Sequence, residues 1–396
     1  MVKRIVLVVS LLAASVSGQG QSHPASAVDV MRSEGPIHVD AILDEPAWQS
    51  ATSIPVNYEW FPGDNVTAPV STEALVTWDD RHLYVAFRAH DPHPEKIRAR
   101  FNARDQATAD DTVGFLIDPF NDKRSAYQFR VNALGVQMDA LNSDVEGSED
   151  FSWDAIWESA ARITPDGFVA EIAVPLQQLR FPRLADAGSW GFLAMRDWPR
   201  DVRHRFRSIW TDQNRSCLVC QFQTIRGLRA GTEGRSVELN PSVTASGHQE
   251  RSTPLSSFDS RESTLDAGLN ARWRIAPSIT LQGTINPDFS QVESDSAQLD
   301  VNTRFALFYP ERRPFFLEGA DFFETQLPLV FTRNVADPIA GLKLTGKEGP
   351  NSFAAFLARD EITNLIIPGD QFSSTASLDD SSTDAVLRYR RDIGAT

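Results

Sequence analysis

EALVTWDDRHLYVAFRAHD, residues 73–91, is two runs of alternating apolar and polar side chains joined at Asp79-Asp80. A period of two marks strands, and a turn dipeptide between two such runs marks a hairpin. The same pattern extends along the chain from Ile37 to about Leu228. DTVGFLIDPF is a more continuously apolar strand, SAYQFRVNALGVQMDAL alternates again, and GFVAEIAVPLQQLRF and WGFLAMRDW complete the series. Pro119, Asp166-Gly167 and Gly188 punctuate the breaks. Many short strands at this spacing predict a β-sandwich, with helices minor.

The chain has 396 residues, enough for two or three domains. Its net charge of −15 argues against a nucleic-acid partner, which needs a basic surface. MVKRIVLVVSLLAASVSGQG opens with Lys3 and Arg4, continues apolar from Ile5 to Val16 and ends in small residues, the pattern of a secretory signal peptide. Cleavage is expected after SVSG or after the later ASA ending at Ala27. The apolar run is shorter than the roughly 20 residues of a spanning helix. Cys217 and Cys220 form a single C-x-x-C, read as a local disulfide or two free thiols, since a zinc site needs about four ligands.

From about Arg235 the pattern changes. In STLDAGLNARWRIAPSITLQGTIN, Leu265, Ala267, Leu269, Ala271, Trp273 and Ile275 share one face, with Asp266, Asn270, Arg272 and Arg274 on the other. Strands of about ten residues with this alternation predict a transmembrane β-barrel, although a half-buried soluble sheet alternates in the same way. The polar tracts 251–263 and 368–384 read as long exposed loops. YPERRPFFLEGADFF, 309–323, is too charged for a core and too broken by Pro310 and Pro314 for a regular element. It is expected to sit as a plug or rim of the barrel, with Arg312 and Arg313 pairing with Glu311, Glu318 or Asp321.

IHVDAILDEPAW, VTWDDRHLYVAFRAHDP, DDTVGFLIDPFNDKRSAYQFRVN and GFVAEIAVPLQQL followed by WGFLAMR resemble a family 9 carbohydrate-binding module. INPDFSQVESDSAQLDVNTRFALFYPERRPFFLEGADFF is similar to the DUF5916-type β-barrel domain of bacterial outer-membrane proteins. The expected fold is therefore all-β. A signal peptide (1–27) precedes a carbohydrate-binding-module-like β-sandwich (28–230) and the N-terminal part of an outer-membrane β-barrel (235–396), an open, curved piece of a longer barrel. The resemblance implies a non-catalytic, carbohydrate-binding protein of the outer membrane or periplasm, associated with carbohydrate catabolism. Its partners would be a glycan and outer-membrane lipid. The alternatives are a transport or structural barrel protein whose module has lost sugar binding, and a glycoside hydrolase.

By strand parity Tyr127, Phe129 and Val131 face the core, and Gln128, Arg130 and Asn132 point together to the opposite face. Arg130 falls where the family's binding arginine lies, so these three are the candidate ligand-binding residues. The family's sugar clamp is missing: Thr108 aligns with one of its two tryptophans, QNRSCLVCQF has none for the other, and the family's strand glutamate aligns with Gly114. Trp60, Trp153, Trp157 and Trp198 are alternative platforms, each expected to be packed. DPFND and SEDFSWD supply carboxylates, and the resemblance implies structural calcium with Asp118 and Asp122 as ligands. No H-E-x-x-H, G-x-S-x-G or phosphate loop suggests catalysis.

Overall fold

The computed structural model describes residues 27–144, 147–151, 153–182, 188–228, 236–248, 262–287, 311, 313–323, 325, 329–332, 335, 338–361, 363–367, 374–378 and 380–391. The leader, tract 251–261 and Arg312 lie outside these residues. The first strands are β1 (Val28–Asp29), β2 (Thr52–Pro55), β3 (Tyr58–Phe61), β4 (Val66–Thr67), β5 (Thr72–Trp78) and β6 (His82–His90), with a short helix α1 (Pro46–Ser50). Then come β7 (Thr112–Asp118), β8 (Ser125–Asn132), β9 (Gln137–Ser143), β10 (Ser148–Asp150), β11 (Glu158–Thr164) and β12 (Gly167–Pro175). β13 (Gly188–Pro199), β14 (Arg203–Arg207) and β15 (Gln223–Leu228) complete the N-terminal part.

These strands pair into two sheets. One runs β10-β9-β8-β7-β13-β14-β3-β4, with β15 against the first half of β13 and β1 beside β15. The other runs β11-β12-β6-β5-β2. The hairpin expected at Asp79-Asp80 is β5–β6, with Trp78 opposite Leu83. The Asp79 carboxylate closes its turn by accepting the Arg81 and His82 N–H groups, each at 2.7 Å. Val76, Val85, Phe87, Ala170 and Ile172 of the smaller sheet meet Val113, Phe115, Phe129, Val131 and Phe192 of the larger, all buried. Phe115 stacks between Phe129 and Phe192, with ring centres 5.4 and 5.6 Å apart.

Two charged groups tie the sandwich together. Arg196, wholly buried, donates from β13 to Thr72 Oγ1 at 2.9 Å and to the His90 carbonyl at 2.8 Å, both on the opposite sheet. On the outer side of the smaller sheet, Glu171 accepts the N–H groups of Asp40 and Ala41 (2.9 and 2.5 Å) and the Trp48 indole N–H (2.9 Å). The leading segment 37–51 is thereby pinned over Leu75, Tyr84, Ala86 and Ala173.

The second region contains β16 (Ser236–His248), β17 (Glu262–Ala276), β18 (Ile279–Ile285), β19 (Pro338–Glu348), β20 (Asn351–Asp360), β21 (Thr363–Ile367), β22 (Ser374–Leu378) and β23 (Ser382–Arg391), with a helical turn α2 (Pro314–Leu317). Its main sheet runs β16-β17-β18-β19-β20-β23, and β21 pairs only with β22. The expected β-barrel is therefore corrected: among the described residues no sheet closes, and β16 and β23 are separate edges. Alternation reports that a strand has two unlike faces; closure additionally requires a stagger that brings the last strand to the first. Part of the tract 368–384, expected as a loop, is strand in β22 and β23.

The two faces of this sheet are distributed in an unusual way. Leu265, Trp273, Leu342, Leu357 and Leu387 are exposed, while Arg274, Thr280, Gln282, Thr284, Lys343 and Thr345 are buried. Segment 313–323 covers the polar face. Lys343 donates to the carbonyls of Phe315 and Glu318, and Phe315, Phe316 and Phe323 pack with Ala354, Phe356 and Ala358. Arg313 pairs with Glu311 at 2.7 Å. The sandwich contributes Arg180, which donates to Thr345 Oγ1 at 3.0 Å, and Asp122, which pairs with Lys347. The segment is a cover on an open sheet, held by groups of both the sheet and the sandwich.

Burial pushes the Glu171 carboxyl up from its ordinary 4.5 to about 7, against the pull of its three N–H donors. The folded chain thus holds this proton more tightly than the unfolded chain. Its contribution is full below about 4.5 and lost as the pH rises through about 7. Asp118, also raised to about 7 chiefly by burial, acts in the same direction. Tm is expected to fall between pH 5 and pH 8, and Glu171→Gln to flatten that slope. Thermal melts across this range check it; an unchanged slope in the variant would remove Glu171 as the cause.

Candidate functional site

Side chains directly opposite each other in antiparallel strands share a face, so register alone assembles the outer face of the larger sheet. One row crosses it as Met138, Arg130, Gly114, Met195, Arg207 and Tyr58. The next is Asn132, Thr112, Asp197, Arg205 and Phe61. On the other side lie Gln128, Leu116 and Leu193. Phe129 and Val131 face the core, as strand parity requires.

Gln128, Arg130 and Asn132 are on one face, but they are buried rather than solvated. Asn132 is committed to the loop before β7. Its amide donates to the Arg100 carbonyl and to Asp110 (2.8 and 2.9 Å), and its oxygen accepts the N–H groups of Leu134 and Val136. No capacity is left for a ligand, so Asn132 shapes the site rather than contacting what enters it. Gln128 accepts a long hydrogen bond from Asn142 at 3.4 Å, and its own Nε2–H has no protein acceptor.

Arg130 is the hub. It donates to Thr112 Oγ1 at 2.8 Å and to Asp197 Oδ2 at 2.9 Å. Gly114 makes room for it: a Cβ there would lie 2.6 Å from Arg130 Cγ and 2.3 Å from the Phe129 carbonyl. The strand glutamate of the family cannot be accommodated together with this arginine pose. The acid that holds Arg130 comes from Asp197 instead, one row away.

Asp197 is surrounded by cations. Arg203 reaches it at 3.3 Å and Arg205 at 3.8 Å, besides Arg130. Arg207 stands beside them, its guanidinium carbon 3.8 Å from the centre of the Trp60 ring, with Arg205 at 5.5 Å from the same ring. Burial and the Arg205 charge hold Arg207 down to about 10. Arg203, Arg205 and Arg207 alternate in RHRFR, a period-two signal that was present in the sequence. Trp60 is the one tryptophan of the four that lies on this face. It occupies the irregularity where β14 pairs with β3, whereas Trp153 and Trp157 pack edge-to-face on Phe129 and Trp198 packs against Phe206.

The loop 208–222 roofs part of the face. Ile209, Val219 and Phe222 pack on Leu116, Ala126 and Leu193. The loop is pinned by a Cys217–Cys220 disulfide, by Asp144, which accepts the Leu218 and Cys220 N–H groups, and by Asn65, which exchanges hydrogen bonds with Thr211. Gln128 and Asn132 are fully covered, Arg130 is 7% exposed, and the Arg205 side chain is 37% exposed. Thr108 is exposed in the loop before β7, where the prominent aromatic is Phe101, 83% exposed.

The calcium candidates Asp118 and Asp122 are met by other groups. Asp118 accepts the Phe120 and Lys123 N–H groups, and Asp122 takes the Lys347 ammonium, so the protein itself supplies the cation. Two groups of possible metal ligands do come together among the described residues: Asp105, Asp139 and Asp154, and Asp144 with the two cysteines. The cysteines are consumed by their disulfide. In the aspartate group Arg104 lies among the carboxylates, 2.5 Å from Asp139 and 2.9 Å from Asp154. Oxygen donors of the kind a hard cation wants are present, with a guanidinium already among them.

Residues 39–215 match the family model described as "Carbohydrate family 9 binding domain-like", and residues 245–349 match "Domain of unknown function (DUF5916)". Among solved structures, a family 9 carbohydrate-binding module from Caldicellulosiruptor kristjanssonii in complex with cellotriose is 16% identical, over 52% of this chain and 96% of that one, with a TM-score of 0.39. The same organism's module in complex with glucose is 17% identical over 52% and 97%, with a TM-score of 0.38. A putative carbohydrate-binding protein from Bacteroides uniformis ATCC 8492 is 11% identical over 50% and 96%, with a TM-score of 0.40. No curated protein matches the chain. The N-terminal sandwich is thus similar to carbohydrate family 9 binding domains over residues 39–215, and the region after it to a domain of unknown function over residues 245–349.

Proposed function

We propose that the protein binds a glycan, without chemistry of its own, on the outer face of the larger sheet around Arg130. The observation that carries this reading is the set of buried N–H groups on that face with no acceptor in the protein: Arg130 Nε, Gln128 Nε2 and Trp60 Nε1. A buried donor left unmatched costs about 1–3 kcal/mol, so such donors point to an acceptor that arrives from outside. A sugar supplies hydroxyl and ring oxygens as acceptors, and Trp60 offers an aromatic surface for its C–H groups. The family's association with carbohydrate breakdown suggests catabolism as the context.

We further propose that the protein is exported and works in the cell envelope. The leader pattern of residues 1–27 supports export. The outward apolar face of the second sheet, with Leu265 at 75% and Leu387 at 84% exposure, supports contact with lipid.

Isothermal calorimetry of the whole chain with oligosaccharides tests the sugar reading. Arg130→Ala is expected to weaken binding at least tenfold while the chain stays folded, because Asp197 keeps Arg203 and Arg205. Trp78→Phe, in the core on the far sheet, is expected to leave affinity within about twofold if it folds. Equal affinity for the parent and a folded Arg130→Ala chain would remove the site. Product release during incubation would favour the glycoside hydrolase alternative.

Structural calcium, if present, fits Asp105, Asp139 and Asp154 better than Asp118 and Asp122. With Arg104 in place the chain is expected to melt at the same temperature in EDTA and in millimolar calcium. Arg104→Ala leaves the buried Asp139 carboxylate without its counter-ion, a loss of about 3 kcal/mol. Calcium is then expected to raise the variant's Tm by several degrees. A variant indifferent to calcium would exclude these three carboxylates as a metal site.

A further inference from the structure

Four guanidinium groups, those of Arg130, Arg203, Arg205 and Arg207, gather on the ligand face around a single buried carboxylate, Asp197. Glu149, exposed, is the other acid whose field reaches Arg207. The donors are as one-sided as the charge: the Nε–H groups of all four arginines are buried and without a protein acceptor. The chain as a whole carries −15, so this patch runs against the general sign of the surface. A neutral sugar matches some donors through its hydroxyls but leaves the excess positive charge uncompensated.

We propose that this face selects an anionic sugar, a saccharide bearing a carboxylate or a sulfate ester, with the acid group placed against Arg205 and Arg207. The proposal rests on the glycan-binding reading above and names the ligand class for that site. Arginine is suited to the task. Its planar fork pairs with a carboxylate through two parallel hydrogen bonds, and it stays charged when half-buried. Trp60 fixes the fork: with its ring 3.8 Å from the Arg207 guanidinium carbon, that group is stacked and pre-aimed. Arg130 and Asp197 form the floor, and Asp197 keeps the cluster from flying apart before the ligand arrives. The arrangement also accounts for the missing clamp. Two facing tryptophans grip a ring through its C–H faces, whereas an acid-bearing sugar can be held by its charge with one aromatic beside it.

The test is calorimetry of the whole chain with trigalacturonate, with its methyl ester, and with a sulfated galactan oligosaccharide at 50 and 300 mM salt. The acid or the sulfated sugar is expected to bind at least tenfold more tightly than the ester, with the advantage shrinking at high salt. Which of the two leads identifies the group. Arg207→Gln and, separately, Arg205→Gln are expected to bring the ratio of acid to ester affinity toward one, and Arg207→Lys to restore part of it. Melting curves of each variant establish that it is folded. Equal binding of acid, ester and sulfated sugar would overturn the anionic class and leave glycan binding standing. A preference that survives both glutamine variants would overturn the site. Binding of no saccharide in any form would overturn this inference and the glycan reading together.

Discussion

Arg196 is a fully buried guanidinium between two sheets, and such a charge is costly unless it is paired. Those partners are the Thr72 hydroxyl, the His90 carbonyl and the Asp91 carboxylate, 3.7 Å away. Asp91 in turn takes Arg200 and the Trp198 indole, and Arg200 reaches on to Asp111 at 2.9 Å. The network fixes β13 against β5 and β6 at one depth and in one register. Its neighbour Asp197 then has no choice of face. Successive side chains of a strand point oppositely, so the residue after an inward Arg196 must meet Arg130 on the outside. The stitching of the sandwich and the placement of Asp197 on its outer face are one constraint read from two sides of one strand.

That rule made much of the sandwich legible in the sequence. The parity of Tyr127 to Asn132 follows from alternation, and so does the hairpin at Asp79-Asp80. What alternation does not say is whether a polar face is wet. Gln128 and Asn132 lie beneath a roof and a loop that come from residues 208–222 and 97–111, and contacts so distant in the chain leave no local trace. Trp60 is expected to pack because its strand looks like any other; the irregular pairing with β14 that turns it onto the arginine-bearing face is tertiary. The arginines at 203, 205 and 207 were visible as a period-two run, but their meaning depends on Asp197 and Arg130 arriving beside them.

The second sheet was misjudged in a different way. Its strands have the two unlike faces that the sequence promises, and the polar one is the buried one. Barrel and open sheet share that local grammar, and the difference lies in which strands end up adjacent. Here the polar face is closed off by segment 313–323 and by Arg180 and Asp122 of the sandwich. Arg180 also stacks over Phe322, with its guanidinium carbon 5.0 Å from the ring centre. The aromatic and charged halves of YPERRPFFLEGADFF therefore have separate tasks. The phenylalanines of 315–323 pack on β20, and the carbonyls and carboxylates between them receive cations from two neighbours.

The same logic separates the roles of charge in the two regions. Around segment 313–323 three buried cations meet oxygens of the protein: Lys343 finds two carbonyls, Arg313 a carboxylate, Lys347 another. Such matching makes a cover, because these cations already have acceptors within the protein. Around Asp197 the accounting is left open, with one carboxylate among several guanidiniums and their Nε–H groups unmet. A fold that closes its charges in one place and leaves them unmatched in another, on a face bounded by a disulfide-pinned loop and a stacked tryptophan, has the asymmetry of a binding surface. Glycine at 114 completes it: a residue with no side chain lets the floor arginine lie flat, and the acid that would have stood there is supplied from the next row.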